Sequence, residues 1–180
     1  MKTSNRIATI GVALLFFMSI TFQARVHYHV KKERKAGYGA LGSQIRDIAQ
    51  FERLYIGKNI KVVYTQDSTT ALRMRAPKEI LDSITTNTIQ NKLKITMPAK
   101  IKTKDTITVF VSNNHLQQLE LAGGYFENLG VLRTEKFQLT MDGKSDCQLN
   151  LDVQILEVKT AKSATLDLKG KTEEIIFINE

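Results

Sequence analysis

The sequence predicts an all-β chain coiled into a parallel β-helix-like solenoid with rungs of about 20 residues, behind a short hydrophobic N-terminal segment. Three observations predict it. Apolar and polar residues alternate with period two through most of the chain after residue 59. A short apolar phrase returns at nearly constant spacing: LQQLELAGG at 116–124, KFQLTMDGK at 136–144 and ILEVKTAKS at 155–163. One apolar run, from Ile7 to Phe22, stands apart from all of this with basic residues on both sides.

That run comes first in the chain. It is short for a membrane-spanning helix, which needs roughly 20 residues, and slightly long for a signal-peptide core of roughly 7–15. Cleavage after Ala24 would put bulky Phe22 where a small residue is required, and no cysteine follows to accept a lipid. Residues 1–35 therefore read as an uncleaved anchor through 7–22, with cleavage and export as the alternative. Arg25, Lys31, Lys32, Arg34 and Lys35 outnumber Lys2 and Arg6 on the other side. Taken literally, the positive-inside rule would leave the following domain in the cytoplasm. The favoured orientation is nonetheless periplasmic, on the resemblance given below. The basic flank suits a solvated segment beside anionic lipid headgroups.

The first 35 residues hold seven Lys/Arg against one Glu, a net of +6, leaving 19 against 17, or +2, for the rest of the 180. The nearly neutral remainder lacks the basic surface that nucleic-acid binding requires. Residues 36–46 are small and glycine-rich with no apolar period, and read as a linker; the folded domain is expected over 47–180.

Within it, Ile60, Val62 and Tyr64 alternate with Lys61, Val63 and Thr65. Leu72, Met74 and Ala76 do the same up to Pro77, Leu93, Ile95 and Met97 up to Pro98, and Ile107, Val109 and Val111 up to Asn113. These are half-buried strands. One helical piece of about two turns is expected at residues 77–84, where Pro77 suits a first turn and Ile80, Leu81 and Ile84 share a face. Beyond it, Leu119, Leu139, Val158 and Phe177 follow one another at a nearly constant step, one rung apart. Strands stacked about 4.8 Å apart would bring these equivalent positions into one apolar column. A β-sandwich with evenly spaced strands is the competing architecture.

Residues 47 to 180 resemble the head-GIN (auto-transporter adhesin) domain family, envelope proteins typical of Bacteroidetes. The resemblance is carried by DIAQFERLYIGKNIKVVYTQD at 47–67, LRMRAPKEILDSI at 72–84, NKLKI at 91–95, ITVFV at 107–111, LQQLELAGG at 116–124 and DGKSD at 142–146. It implies a right-handed β-helix-like fold, exported and held at the envelope, and implies no catalytic residue. The later turns DGKSD and AKSA depart from the Gly-Ser pairs such domains usually show, so a less glycine-rich last rung is expected.

Residue chemistry narrows the function. His27 and His29 lack a third ligand, and His115 reads as an exposed turn residue. Cys147, the single cysteine, falls in phase with Leu149 and Leu151 and reads as a buried apolar residue. Asp142, Asp146, Asp152 and Asp167 are the candidate acid–base groups of a lyase or glycosidase, but a step of one rung aligns none of them with another. The DGKSD turn is too poor in carboxylates for calcium, and Gly123-Gly124 opens no helix that could cradle phosphate. No cofactor or metal is expected. Tyr125 and Phe126, just after the double glycine, are the candidate ligand- or partner-binding residues, with at least one ring expected to point outward; packing of both against Leu129 and Leu132 as local core is the competing reading. Finally, the apolar strand 175–180 predicts weak self-association through an uncovered last rung. The expected function is thus a non-enzymatic envelope module for adhesion, interaction or scaffolding, with a carbohydrate-active enzyme using the turn aspartates as the alternative.

Overall fold

In the computed structural model the residues described are 39–101 and 107–178. The expected N-terminal anchor, with its apolar run 7–22 and His27 and His29, lies outside them. The strands are β1 (Leu41–Arg46), β2 (Arg53–Ile56), β3 (Ile60–Gln66), β4 (Ala71–Pro77), β5 (Thr85–Ile89), β6 (Lys92–Thr96), β7 (Ile107–Asn113), β8 (Gln118–Ala122), β9 (Tyr125–Leu129), β10 (Leu132–Asp142), β11 (Asp146–Thr160) and β12 (Thr165–Phe177). A single short helix among the described residues, α1, spans Lys78–Leu81.

Among the described residues all twelve strands belong to one sheet, which curls into an open half-barrel, so this part of the chain is all-β without the two packed sheets of a sandwich. The strand order is β1-β4-β7-β3-β9-β11-β10-β8-β2-β6-β5, with β12 beside β11. The path divides at β11. Residues 146–148 pair with β9, and most of 151–160 pair with β10. One arm therefore runs β9-β3-β7-β4-β1 and the other β10-β8-β2-β6-β5, and their inner faces share one core.

Parallel register explains the repeat. Leu93 pairs with Leu54, Leu54 with Leu119, Leu119 with Leu139, Leu139 with Val158 and Val158 with Phe177. The first five are at most 1 % exposed. The other arm carries a matching column of Val109, Val62, Phe126, Cys147 and Leu166. A residue whose neighbours above and below are apolar must itself be apolar, because no water reaches it to satisfy a polar group.

Three expectations change. The C-terminal half of the expected linker forms β1, antiparallel to β4. Its residues are exposed or half-exposed, so backbone pairing rather than apolar burial holds it, and no apolar period was there to be seen. The helix is one turn rather than two. Pro77 stands in extended conformation before it, and Ile80, Leu81 and Ile84 are buried as their shared face required. Lastly, the parallel order is not the chain order. The strands β2 and β3 lie between the later β6 and β7 on one side and β8 and β9 on the other. Even spacing accounts only for the levels from β8 onward.

Candidate interaction surface

The double glycine that opens β9 sets which aromatic faces out. Gly123 has φ +80°, a left-handed conformation that strains any residue with a Cβ. At Gly124 a Cβ would lie 2.7 Å from Ile56 Cγ2 and 2.8 Å from the carbonyl oxygen of Gly57. Two residues thus carry the chain tightly from one arm to the other, and strand alternation does the rest. Phe126 points inward. It is fully buried, with its ring centroid 6.0 Å from that of Tyr64 at an interplanar angle of 28°. A side chain with no accessible surface cannot meet a ligand, so Phe126 is a core residue and not a binding residue. It packs on Tyr64, the residue two beyond its register partner Val62.

Tyr125 points outward and is half-buried in a small polar cluster. Its hydroxyl donates to Glu127 Oε2 at 3.0 Å. Lys61 Nζ lies 3.0 Å from Glu127 Oε1 and 4.7 Å from the Tyr125 ring centroid. Burial first, then the hydrogen bond and charge of Glu127, push the phenol up to about 12.

The other arm carries a second cluster of the same make, which the sequence did not reveal. Tyr55 is half-buried on β2, with Lys92 Nζ 5.5 Å and Lys94 Nζ 5.1 Å from its ring centroid. Lys92 Nζ pairs with Glu120 at 2.7 Å, and Gln118 Nε2 donates to the same carboxylate at 3.2 Å. Further along this arm, Glu157 accepts from Gln138 Nε2 at 2.6 Å and pairs with Lys136 Nζ at 2.6 Å. Lys136 first, then Gln138, hold its carboxyl below the usual range. Each arm thus presents one tyrosine framed by lysine and glutamate. Tyr55 reaches Lys92 and Glu120 only through pairing of β2 with the much later strands β6 and β8, which no local pattern in the sequence could signal.

Where the chain passes between the arms, an open groove of about 700 Å³ is lined by the stacked residues Arg133, Asp152 and Lys171, with Glu135, Gln154 and Glu173 beside them. Asp152 lies 3.5 Å from Arg133 Nε.

The four candidate aspartates do not converge. Asp142 pairs in register with Ala122, Asp146 with Tyr125 and Thr165, Asp152 with Arg133 and Lys171, and Asp167 with Gln148. Catalysis by a carboxylate pair needs two such groups across one substrate bond, and the register brings no two of these together. His115 is exposed between β7 and β8. Cys147 is buried between Phe126 and Leu166, and burial, with a lesser push from Asp146, drives its thiol above the usual range. Among the described residues no three or more of His, Cys, Asp and Glu form a group that could hold a metal ion, and no helix is long and apolar enough to cross a membrane.

These features define an all-β protein with a curled, mostly parallel sheet and a polar, tyrosine-bearing outer surface. The chain belongs to the family described as "Putative auto-transporter adhesin, head GIN domain", which it matches over residues 50–178. Among solved structures it is similar to a "putative adhesin" from Bacteroides fragilis (18% identity, TM-score 0.70, 76% of this chain and 65% of that one). A "putative adhesin" from Parabacteroides merdae is similar too (16% identity, TM-score 0.70, 77% and 60%). So is a "Putative lipid binding protein" from Parabacteroides distasonis (14% identity, TM-score 0.65, 76% and 69%). The chain spans less than two thirds of the length of the first two. No curated protein matches it.

Proposed function

We propose that this chain is a non-enzymatic module of the bacterial envelope that works by adhesion, interaction or scaffolding. The observation that carries the reading is the pair of outward tyrosine clusters, at Tyr125 and Tyr55, held on parallel strands backed by continuous apolar columns. Half-exposed aromatic rings on a rigid surface stack on sugar rings or fill a partner's pocket at low entropic cost. In this reading the parallel levels form a right-handed β-helix-like solenoid over 47–180, with residues 1–35 as an N-terminal anchor through 7–22 and the domain in the periplasm. Family membership supports the envelope location and the absence of an enzymatic role. The partners are then an envelope protein or glycan, with further copies of the chain meeting through strand 175–180.

Binding of the full chain to purified envelope glycans and envelope fractions tests this. Tyr125→Ala and Tyr55→Ala should each weaken binding about tenfold, the loss of a hot-spot contact, with the melting temperature held. Unchanged binding by both folded variants would sink the assignment of these surfaces. Protease digestion of a C-terminal tag only after the outer membrane is opened would support the periplasmic placement; protection until the inner membrane is broken would reverse it.

A further inference from the structure

We propose that the last level, β12, is the docking surface for a second copy of this chain, joined edge to edge about a two-fold axis. This does not depend on the adhesion reading, and it extends beyond contact through 175–180 to the whole of β12.

Among the described residues β12 pairs only with β11, so one full row of its backbone groups is open. Its inward positions continue the core columns. Leu166 follows Cys147, Leu168 follows Leu149, Ile175 follows Leu156 and Phe177 follows Val158. Their predecessors are at most 2 % exposed, whereas Leu168, Ile175 and Phe177 are 36 %, 42 % and 66 % exposed. At this end lies a hollow of about 150 Å³ lined by Leu151, Leu156, Leu168 and Ile175 together with residues 169–172 of β12. Such an open end invites another strand edge; β12 has no proline, and its charges, Asp167, Lys169, Lys171, Glu173 and Glu174, lie outside the inward apolar positions, so a partner edge must match them.

Charge on the strand selects a second copy as the occupant. The first half of β12 ends in Lys169 and Lys171, and the second half begins with Glu173 and Glu174. A two-fold axis between Lys171 and Thr172, close to the left-handed Gly170 (φ +109°), runs the two strands antiparallel and lays each basic half on an acidic half. Lys169 then faces Glu174 of the other copy, while Leu168 meets Ile175 and Leu166 meets Phe177. The same operation exchanges the two arms, so inward faces meet inward faces and both columns continue into the other copy. A parallel or head-to-tail arrangement would not satisfy both the charges and the columns. Lys169 Nζ lies 3.5 Å from Asp167 within its own strand, but both are more than half exposed, so that pair is weak and does not compete.

The test uses the full chain in cells. Lys169→Cys and Glu174→Cys are made in separately tagged copies, co-expressed and mildly oxidised; buried Cys147 does not react. We expect a disulfide-linked species of twice the chain mass carrying both tags, at least fivefold above either variant alone. Lys169→Glu should weaken the purified dimer about tenfold by sedimentation, and adding Glu174→Lys should restore it. All these positions are exposed, so the fold should survive. Absence of the two-tag species, with both copies folded, would overturn the proposal. So would a dimer insensitive to Lys169→Glu, which would show that another surface joins the copies.

Discussion

The two ends of the sheet solve the same problem in opposite ways. At the N-terminal end the parallel columns stop against antiparallel strands. There β4 lies on β7 and β1 on β4, β5 lies on β6, and α1 sets Ile80 and Leu81, with Ile84 just beyond, into the core. Arg46 ties the pieces together. Its guanidinium donates to the carbonyl oxygens of Leu81 at 3.0 Å and Ile84 at 2.5 Å, to Thr86 Oγ1 at 3.0 Å and to Gln44 Oε1 at 2.9 Å. At the C-terminal end the columns run out into Leu168, Ile175 and Phe177 with nothing over them among the described residues. Strands reversed at the turns 67–70 and 90–91 end a stack, and a strand that keeps the parallel direction leaves it extensible.

Substitutions can break or sharpen this contrast. The largest effect is expected inside the stack: Leu54→Ala, between Leu93 and Leu119 in the column, should destabilise by about 2–5 kcal/mol in chemical denaturation. Arg46→Ala should cost about 1–3 kcal/mol by leaving carbonyl groups of the closed end without donors, and Arg46→Lys should recover little of it. Phe177→Ala, in the same column as Leu54 but 66 % exposed, should change the stability of a single copy by about 0.5 kcal/mol or less. A Phe177→Ala loss as large as that of Leu54→Ala would show that the C-terminal end is covered within one chain. The smallest effect is optical. The alkaline phenolate absorbance step that Tyr125→Phe removes should centre near pH 12. Because the folded phenol titrates above the usual value near 10, its contribution to stability is present below about pH 10 and is lost as pH rises from there through about 12.

What could be read from the sequence was what is local or evenly spaced. The column through Leu119, Leu139, Val158 and Phe177 was legible because its register partners recur at a nearly constant step along the chain. Leu54 and Leu93 stand in the same column but were not legible as such, because the chain makes an excursion through β4, α1 and β5 between them. The strand β1 was hidden because its bonds are backbone bonds and its side chains bury little. At the surface, alternation could say that Tyr125 and Phe126 face opposite ways but not which of them faces out; Gly124, wedged against Ile56, decides that. Tyr55 stayed invisible because its lysine and glutamate neighbours come from distant strands.

The displaced order of β2 and β3 also has a consequence in time. These strands emerge from the ribosome, or from an export channel, ahead of every parallel neighbour they will have. Leu54 waits for Leu93 on one side and, longer still, for Leu119 on the other. Until β6 emerges both edges of β2 are bare, and until β8 emerges one still is, whereas each level after β8 finds its predecessor already made. β2 and β3 therefore wait over a longer stretch of chain for their second neighbour than any later parallel strand does, and that interval is when their edges are most open to pairing with another chain.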